Sequence, residues 1–370
     1  MFFPEIKKNF GFGCMRLPIK NGEVEIEAFK QMVDRFIESG FNYFDTAHGY
    51  LNGKSEGALK TALTSRYKRE DYVLTNKLSR PFFNSNEEIR PLFLSQLDAC
   101  GVDYFDFYLM HAQDRSSFEH FKRCRAYETA FELKNEGKIK HIGISFHDKH
   151  GMLEKILTEY PFIEAVQLQF NYLDYDSAAV ESKLCYDVCR KFDKPVIVME
   201  PVKGGNLVNL PEKAQIIFDE LGSCSNAGLA IRFAAGFEGI FMVLSGMGSM
   251  EMVNDNISNM INFKPLDKRE LEAIERVREV LNSQDVIPCT DCRYCTEGCP
   301  KKIFIPGLFE CLNNKRIFGN DNAKSSYNNF YTSDGTRARD CIKCGACESA
   351  CPQHLPIRKL LEEVSAEFDV

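Results

Sequence analysis

Short apolar runs recur along most of the chain, with longer amphipathic stretches between them. The runs fall at 12–15, 41–45, 72–75, 105–110, 141–145, 165–170, 196–199 and 240–244. They are nearly continuous rather than alternating, as expected of strands buried on both faces. Apolar residues at helical period fill 27–39, 54–64, 87–99, 120–136, 152–159, 178–192 and 226–235. Eight strands alternating with helices over ~250 residues predict a (β/α)8 barrel. A doubly wound sheet is the competing arrangement, but no G-x-G-x-x-G follows the first run.

The barrel is expected to occupy 1–263. Residues 264–288 then read as a connecting helix. Asp267 and Glu270 stand at capping-box spacing, and Leu271, Ile274, Val277, Val280 and Leu281 form one apolar face.

Past this helix the composition changes. Residues 289–370 hold nine of the 15 cysteines. Eight of them form two matched runs. Cys289, Cys292, Cys295 and Cys299 precede Pro300; Cys341, Cys344, Cys347 and Cys351 precede Pro352. Each run has the spacing of a bacterial [4Fe–4S] ligand set. Three thiolates at intervals of three wrap one loop around three corners of a cubane, and the fourth reaches the neighbouring cluster. One cluster is therefore expected on Cys289, Cys292, Cys295 and Cys351, and the other on Cys341, Cys344, Cys347 and Cys299. Zinc would need one set of four ligands, not two matched sets each trailed by proline. Cys311 lies outside both runs and reads as a small buried hydrophobe. The stretch 285–358 resembles a ferredoxin-type domain with two [4Fe–4S] clusters. Its intervening segment, 300–340, is longer than in compact bacterial ferredoxins. It reads as helical at 308–312 and loop-like at 320–335, as in the helical ferredoxin domains of large redox enzymes.

Charge narrows the partners. Lys and Arg number 46 against 53 Asp and Glu, a net charge of −7, with no long basic block. Nucleic acid and anionic membrane are thereby disfavoured as partners. No apolar run approaches the ~18–20 residues of a membrane span. Charge arrives early at the N-terminus, with Glu5, Lys7 and Lys8, unlike a secretory leader. A cytoplasmic location is expected.

Chemistry in such a barrel sits at the carboxyl ends of its strands. Those ends carry Asp45, with Tyr50 in the following loop, then Lys77 and His111. A lysine ammonium beside a tyrosine favours the phenolate and would lower its pKa. An aspartate would keep the lysine charged, and a histidine could orient a carbonyl. Tyr50 would then exchange a proton with the carbonyl oxygen.

These residues resemble the catalytic tetrad of the aldo-keto reductase superfamily. The resemblance spans about 9–262. It includes Gly11-Phe12-Gly13-Cys14-Met15-Arg16, Phe44-Asp45-Thr46-Ala47, Ser55-Glu56, Gly137-Lys138-Ile139 and Gly143-Ile144-Ser145. It implies an enzyme that reduces small carbonyls, or oxidises alcohols, with NAD(P)H. Asp45 and Lys77 would tune Tyr50, the general acid, and His111 would position the carbonyl. Ser145 and Gln167 would hold the nicotinamide carboxamide. The loop after the last strand, with Gly246, Gly248, Asp255 and Asn256, would take the phosphate and adenosine half. Three positions depart from the family: Phe146 replaces a frequent Asn, Met199 a frequent aromatic, and 246–252 lacks basic residues for a 2′-phosphate. NADH is therefore expected to serve at least as well as NADPH.

The two halves differ in currency, since nicotinamide passes two electrons together and a cluster passes one. No flavin signature bridges them. The expected role is an oxidoreductase coupled to, or accompanied by, an electron-transfer domain, with an external redox protein as a further partner. The alternative is a barrel without turnover that serves an iron–sulfur electron-transfer or sensing module.

Overall fold

The computed structural model describes residues 2–222 and 224–370. Two compact units are present. One comprises Met1–Tyr175, Glu181–Pro201 and Ala227–Leu266; the other comprises Asp176–Val180, Val202–Asn226 and Asp267–Val370.

The first unit is a closed barrel of eight parallel strands. These are β1 (Phe10–Gly13), β2 (Tyr43–Asp45), β3 (Val73–Leu78), β4 (Phe105–Gln113), β5 (Ile139–Phe146), β6 (Ala165–Gln169), β7 (Val196–Met199) and β8 (Ile240–Gly246). β1 closes the ring by pairing with β2 and β8. Every expected strand is present. β3, β4 and β8 run two or three residues further at their carboxyl ends than the apolar runs, so that Lys77 and His111 lie within strands.

Continuous apolar character follows from burial on both faces: Val196–Val198 and Ile240–Leu244 are buried at every position. Gly143 marks a point where neighbouring strands pack too closely for a side chain. A Cβ there would meet Leu109 Cδ2 at 2.6 Å and the Ala165 carbonyl oxygen at 2.7 Å. The residues before β1 close one end of the barrel. Phe3 packs edge-on to Phe107 with ring centroids 4.9 Å apart, and Ile6, Phe241 and Met242 join the same cluster.

The helices depart from expectation in three places. The segment 120–136 is two helices, Arg115–Arg123 and Ala126–Asn135, broken where Arg125 takes φ +54°. The segment 178–192 is helical only at Ser182–Lys191. A small hairpin (Ile19–Lys20 with Glu23–Val24) and a helix at Glu212–Asp219 have no counterpart in the sequence reading.

In the second unit, the helix Lys268–Asn282 begins with a complete capping box: Asp267 accepts from the Glu270 N–H at 2.8 Å, and the Asp267 N–H donates to Glu270 at 2.9 Å. The cysteine-rich region is helical, at Ile305–Phe318 and Ile357–Phe368 among others. Its core joins Ile303, Leu308, Phe309, Cys311, Leu361 and Val364. Cys311 is fully buried there, as read from its spacing. The stretch 320–335, expected to be loop, carries the helix Asn322–Ser326 and a wide turn at Tyr327–Tyr331. Tyr327 supplies the reason: it is fully buried and stacks on Phe368 at 4.9 Å. No helix among the described residues is long and apolar enough to cross a membrane.

Candidate active site and cysteine pockets

Three of the four expected catalytic side chains meet at the carboxyl ends of β2 and β3. Lys77 Nζ donates to Asp45 Oδ1 at 2.6 Å, to the Thr46 carbonyl at 2.8 Å and to the Tyr50 hydroxyl oxygen at 3.4 Å. An ammonium has three protons, so its donors are all used. Because Lys77 can only donate, the Tyr50 oxygen accepts and its own proton is left to point elsewhere. Gln167 Nε2 approaches the other Asp45 oxygen at 3.3 Å. His111 faces Tyr50 edge-on, with ring centroids 6.0 Å apart.

β4 places His111 by an irregularity. Its register against β5 shifts between Met110 and Gln113, and Ala112 takes φ +51°. Such a bulge re-aims a side chain at the end of a strand. The Ala112 N–H donates to Ser145 Oγ at 3.2 Å, so Ser145 braces the bulge. Ser79 Oγ lies 2.6 Å from His111 Nδ1. Neither Ser79 nor Gln113 was singled out in the sequence, because neither ends a recognisable motif.

Burial reverses one expectation. The Tyr50 hydroxyl is pushed above its ordinary value: desolvation raises it, Lys77 pulls it down and Asp45 raises it again, and desolvation wins. The surrounding protein therefore does not acidify the phenol. Burial also raises the Asp45 carboxyl, against the pull of Lys77. For Lys77, burial alone would favour the neutral amine, but Asp45 and Tyr50 outweigh it and hold the ammonium. Burial, then Lys77 and His147, depress His111 well below the usual imidazole range, so its ring is neutral near pH 7. Cys14, fully buried close to the Asp45–Lys77 pair, has its thiol pushed well up by burial and then by Asp45.

A buried polar network lies on the far side of Lys77. Glu56 accepts from Asn76 Nδ2 at 2.8 Å and pairs with His48 Nδ1 at 2.8 Å. The Lys77 N–H donates to Asn76 Oδ1 at 2.8 Å, and Gln96 donates to the Lys77 carbonyl at 3.0 Å. The Lys77 backbone is thus held from both sides. His48 belongs to this network, not to the Asp45–Lys77–Tyr50 group.

The loop after β8 is more varied. Gly246 is exposed and Gly248 half-buried. Asn256 is buried and donates to Ser245 Oγ at 2.9 Å, so its amide braces the strand end. Asp255 is half-buried, with its carbonyl accepting from Asn259 at 2.8 Å. The helix Met250–Met260 starts here, capped by Ser249, which accepts from the Met252 N–H. One cation was overlooked. Arg16, exposed in the loop after β1, runs its stem along Gly246, where an added Cβ would meet Arg16 Cβ at 3.4 Å. It sits far from this loop in sequence, which is why 246–252 alone reads as lacking a cation.

In the second unit the eight cysteines line two pockets. Cys289, Cys292, Cys295 and Cys351 line one, and Cys299, Cys341, Cys344 and Cys347 line the other. Each has about 320 Å³ of space, including the part open to solvent. The fourth cysteine of each run thus lines the pocket of the other run. The backbone repeats with the sequence. Asp291, Arg293 and Lys302 of the first run have left-handed φ of +49°, +65° and +54°. Their counterparts Lys343, Gly345 and His354 have +58°, +82° and +53°. Left-handed backbone costs a non-glycine residue ~1–2 kcal/mol. It recurs at the same three offsets because both loops make the same wrap. Four soft thiol donors around each cavity suit an iron–sulfur cluster.

Comparisons with known proteins agree with both halves. The aldo/keto reductase family model matches residues 9–279, and a 4Fe-4S dicluster domain model matches 288–355. An NADH-specific methylglyoxal reductase from Escherichia coli is 27% identical over 311 residues, covering 70% of this chain and 92% of the relative. Dihydrodiol dehydrogenase 3 from Bos taurus is 31% identical over 167 residues, 40% of this chain and 49% of that protein. The holo form of an aldo-keto reductase from Bacillus halodurans superposes with a TM-score of 0.60 at 24% identity, over 73% of this chain and 91% of that one. An aldo-keto reductase from Klebsiella pneumoniae in complex with NADPH gives 0.58 at 19% identity, over 73% and 90%. These two structures speak to the fold alone. With the parallel eight-stranded barrel, the family match over residues 9–279 and the cysteine-rich C-terminal match together, the chain belongs to the aldo/keto reductase family and carries a 4Fe-4S dicluster domain.

Proposed function

We propose that the protein reduces a small carbonyl compound with NAD(P)H, or oxidises the matching alcohol, with Tyr50 as the general acid. The observation that carries this reading is the Lys77 ammonium, held 2.6 Å from Asp45 and 3.4 Å from the Tyr50 hydroxyl oxygen. Lys77 donates to the Tyr50 oxygen and leaves its proton for a substrate oxygen. As that proton departs, the fixed ammonium stabilises the phenolate, and no solvent has to reorganise. His111, neutral, donates an N–H to the same carbonyl oxygen and orients it. The bound nicotinamide supplies hydride. Gln167 and Ser145, side by side in the β5–β6 register, would hold its carboxamide.

The phosphate half of the nucleotide falls to Gly246 and Gly248, whose small size lets backbone approach closely, with Asp255 and Asn256 bordering the site. The N-terminus of Met250–Met260 and the Arg16 guanidinium supply positive charge. The absence of basic residues in 246–252 favours NADH at least as well as NADPH. The relative named as NADH-specific supports this preference, and its named substrate suggests a 2-oxoaldehyde as first assay compound.

The two pockets each hold one [4Fe–4S] cluster, on the cysteine sets described above. Bound clusters supply single electrons, for which an external redox protein is the natural partner. The functional parts are then the barrel at 1–263, the connecting segment at 264–288, helical over Lys268–Asn282, and the cluster domain at 289–370, in a cytoplasmic protein that meets neither nucleic acid nor membrane. The test is anaerobic purification with iron and sulfide counts, then titration of both nucleotides and turnover of methylglyoxal. Absence of NAD(P)H-dependent turnover with nucleotide bound would remove Tyr50 from its role.

A second reading has one observation behind it. Asn256 Nδ2 donates to Ser245 Oγ, so one of its two amide N–H groups is spent within the barrel instead of on a nucleotide. If neither nucleotide binds, the barrel does not turn over and the protein serves as an iron–sulfur electron-transfer or sensing module.

A further inference from the structure

A neutral imidazole presents an N–H on one nitrogen and a lone pair on the other, and the partner of one decides the chemistry of the other. His111 has one such partner. Its Nδ1 lies 2.6 Å from Ser79 Oγ. Ser79 follows β3 two residues after Lys77 and is 6% exposed. Its carbonyl accepts the Phe82 N–H at 3.1 Å, but its hydroxyl has no other hydrogen-bond partner among the described residues. A buried hydroxyl proton needs an acceptor. The one within reach is an unprotonated Nδ1, which puts the ring proton on Nε2. Nε2 makes no hydrogen bond within the described residues and is free to donate. The backbone is held as well: Gln113 Nε2 donates to the His111 carbonyl at 3.0 Å, and Tyr127 OH fixes Gln113 at 2.8 Å.

We propose that Ser79 is a positioning residue that donates its hydroxyl proton to His111 Nδ1 and holds the imidazole in the Nε2–H tautomer. This rests on the reading of His111 as the carbonyl-orienting donor. The bland alternative is that Ser79 only ends β3 through its carbonyl, with a hydroxyl of no consequence.

The experiment is ¹⁵N-histidine NMR on the full-length, cluster-loaded protein, paired with steady-state kinetics on methylglyoxal. In the wild type, His111 is expected to show an unprotonated Nδ1 and a protonated Nε2. Ser79→Ala is expected to give a mixture of tautomers and a kcat about tenfold lower, the loss of one hydrogen bond of ~1.4 kcal/mol, with KM little changed. Ser79→Thr keeps a hydroxyl and is expected to restore both signals. A protonated Nδ1 in the wild type overturns the inference. So does a Ser79→Ala variant that keeps a pure Nε2–H tautomer, whatever its kcat. A wild type with the expected tautomer but no turnover upholds the Ser79 contact and removes the proposed reaction instead, so the two failures are separable. Should Ser79→Ala not fold, the wild-type spectrum and Ser79→Thr decide.

Discussion

Lys77 and Asp45 form an ion pair at 2.6 Å in which the lysine side chain is fully buried and the aspartate side chain 5% exposed. Two charges so placed are costly to desolvate, and neither survives well alone. Removing one partner strands the other. Lys77→Met is expected to destabilise the protein by ~3–5 kcal/mol, whereas the double variant Lys77→Met/Asp45→Leu recovers most of that loss. Denaturant unfolding of the three proteins checks it. A Lys77→Met variant as stable as the wild type would show that Asp45 is protonated and the pair is not ionic.

Tyr50→Phe removes the proton donor and keeps the ring. Carbonyl reduction is expected to fall by ~10²–10⁴-fold, the range of a positioned general acid, with nucleotide affinity and cluster absorbance unchanged. The pH dependence follows from burial. The hydroxyl is raised above its ordinary value, and an acid works only while protonated, so its activity is lost as pH climbs through that raised value. The kcat profile for reduction is expected to show no alkaline limb from Tyr50 below pH ~10. A limb near pH 8 that vanishes in Tyr50→Phe would mean that bound nucleotide or substrate acidifies the phenol.

Cys299 tests the crossed arrangement of the pockets. It belongs to the first run but lines the pocket of Cys341, Cys344 and Cys347. Cys299→Ala is expected to lower the iron content from about eight to about four per chain, and the surviving cluster should be the one on Cys289, Cys292, Cys295 and Cys351. Combining Cys299→Ala with Cys344→Ala then costs no further iron. A further loss in the double variant would place Cys299 on the first cluster. Iron counting and electron paramagnetic resonance of the reduced proteins give the answer.

Glu164 ties acid stability to the barrel. Burial alone would raise its carboxyl, but hydrogen bonds from His141, Lys134 and the Ile142 N–H bring it down to about 2. The unfolded value is ~4.3, so the folded state is favoured while Glu164 is ionised. This contribution is fully present above pH ~4.3 and is lost as pH falls toward 2, amounting to at most ~3 kcal/mol. Glu164→Gln is expected to lower the denaturation midpoint at pH 6 and to flatten its fall between pH 5 and pH 3. An unchanged slope would assign the acid limb to other carboxyls.

Much of this molecule is written in short stretches of sequence. The run at 196–199 is a strand with the same bounds in the fold, and Asp267 with Glu270 cap their helix as their spacing predicts. Cysteine spacing was enough to sort eight thiols into the two sets that line the pockets. Such features depend on residues a few positions apart, so periodicity and spacing carry them. Glycine at 345 is the one hint of the left-handed wraps; Asp291, Arg293 and Lys302 adopt them with no glycine to announce it. The rest depends on what packs around a group. Placement at successive strand ends put Lys77 next to Tyr50 in expectation, but only the packed barrel excludes enough water for burial to outweigh the ammonium. Arg16 meets Gly246, and Ser79 meets His111, because strands close into a ring and bring distant loops together. Desolvation and long-range contact belong to the tertiary structure, while the pattern of apolar runs and thiols belongs to the chain itself.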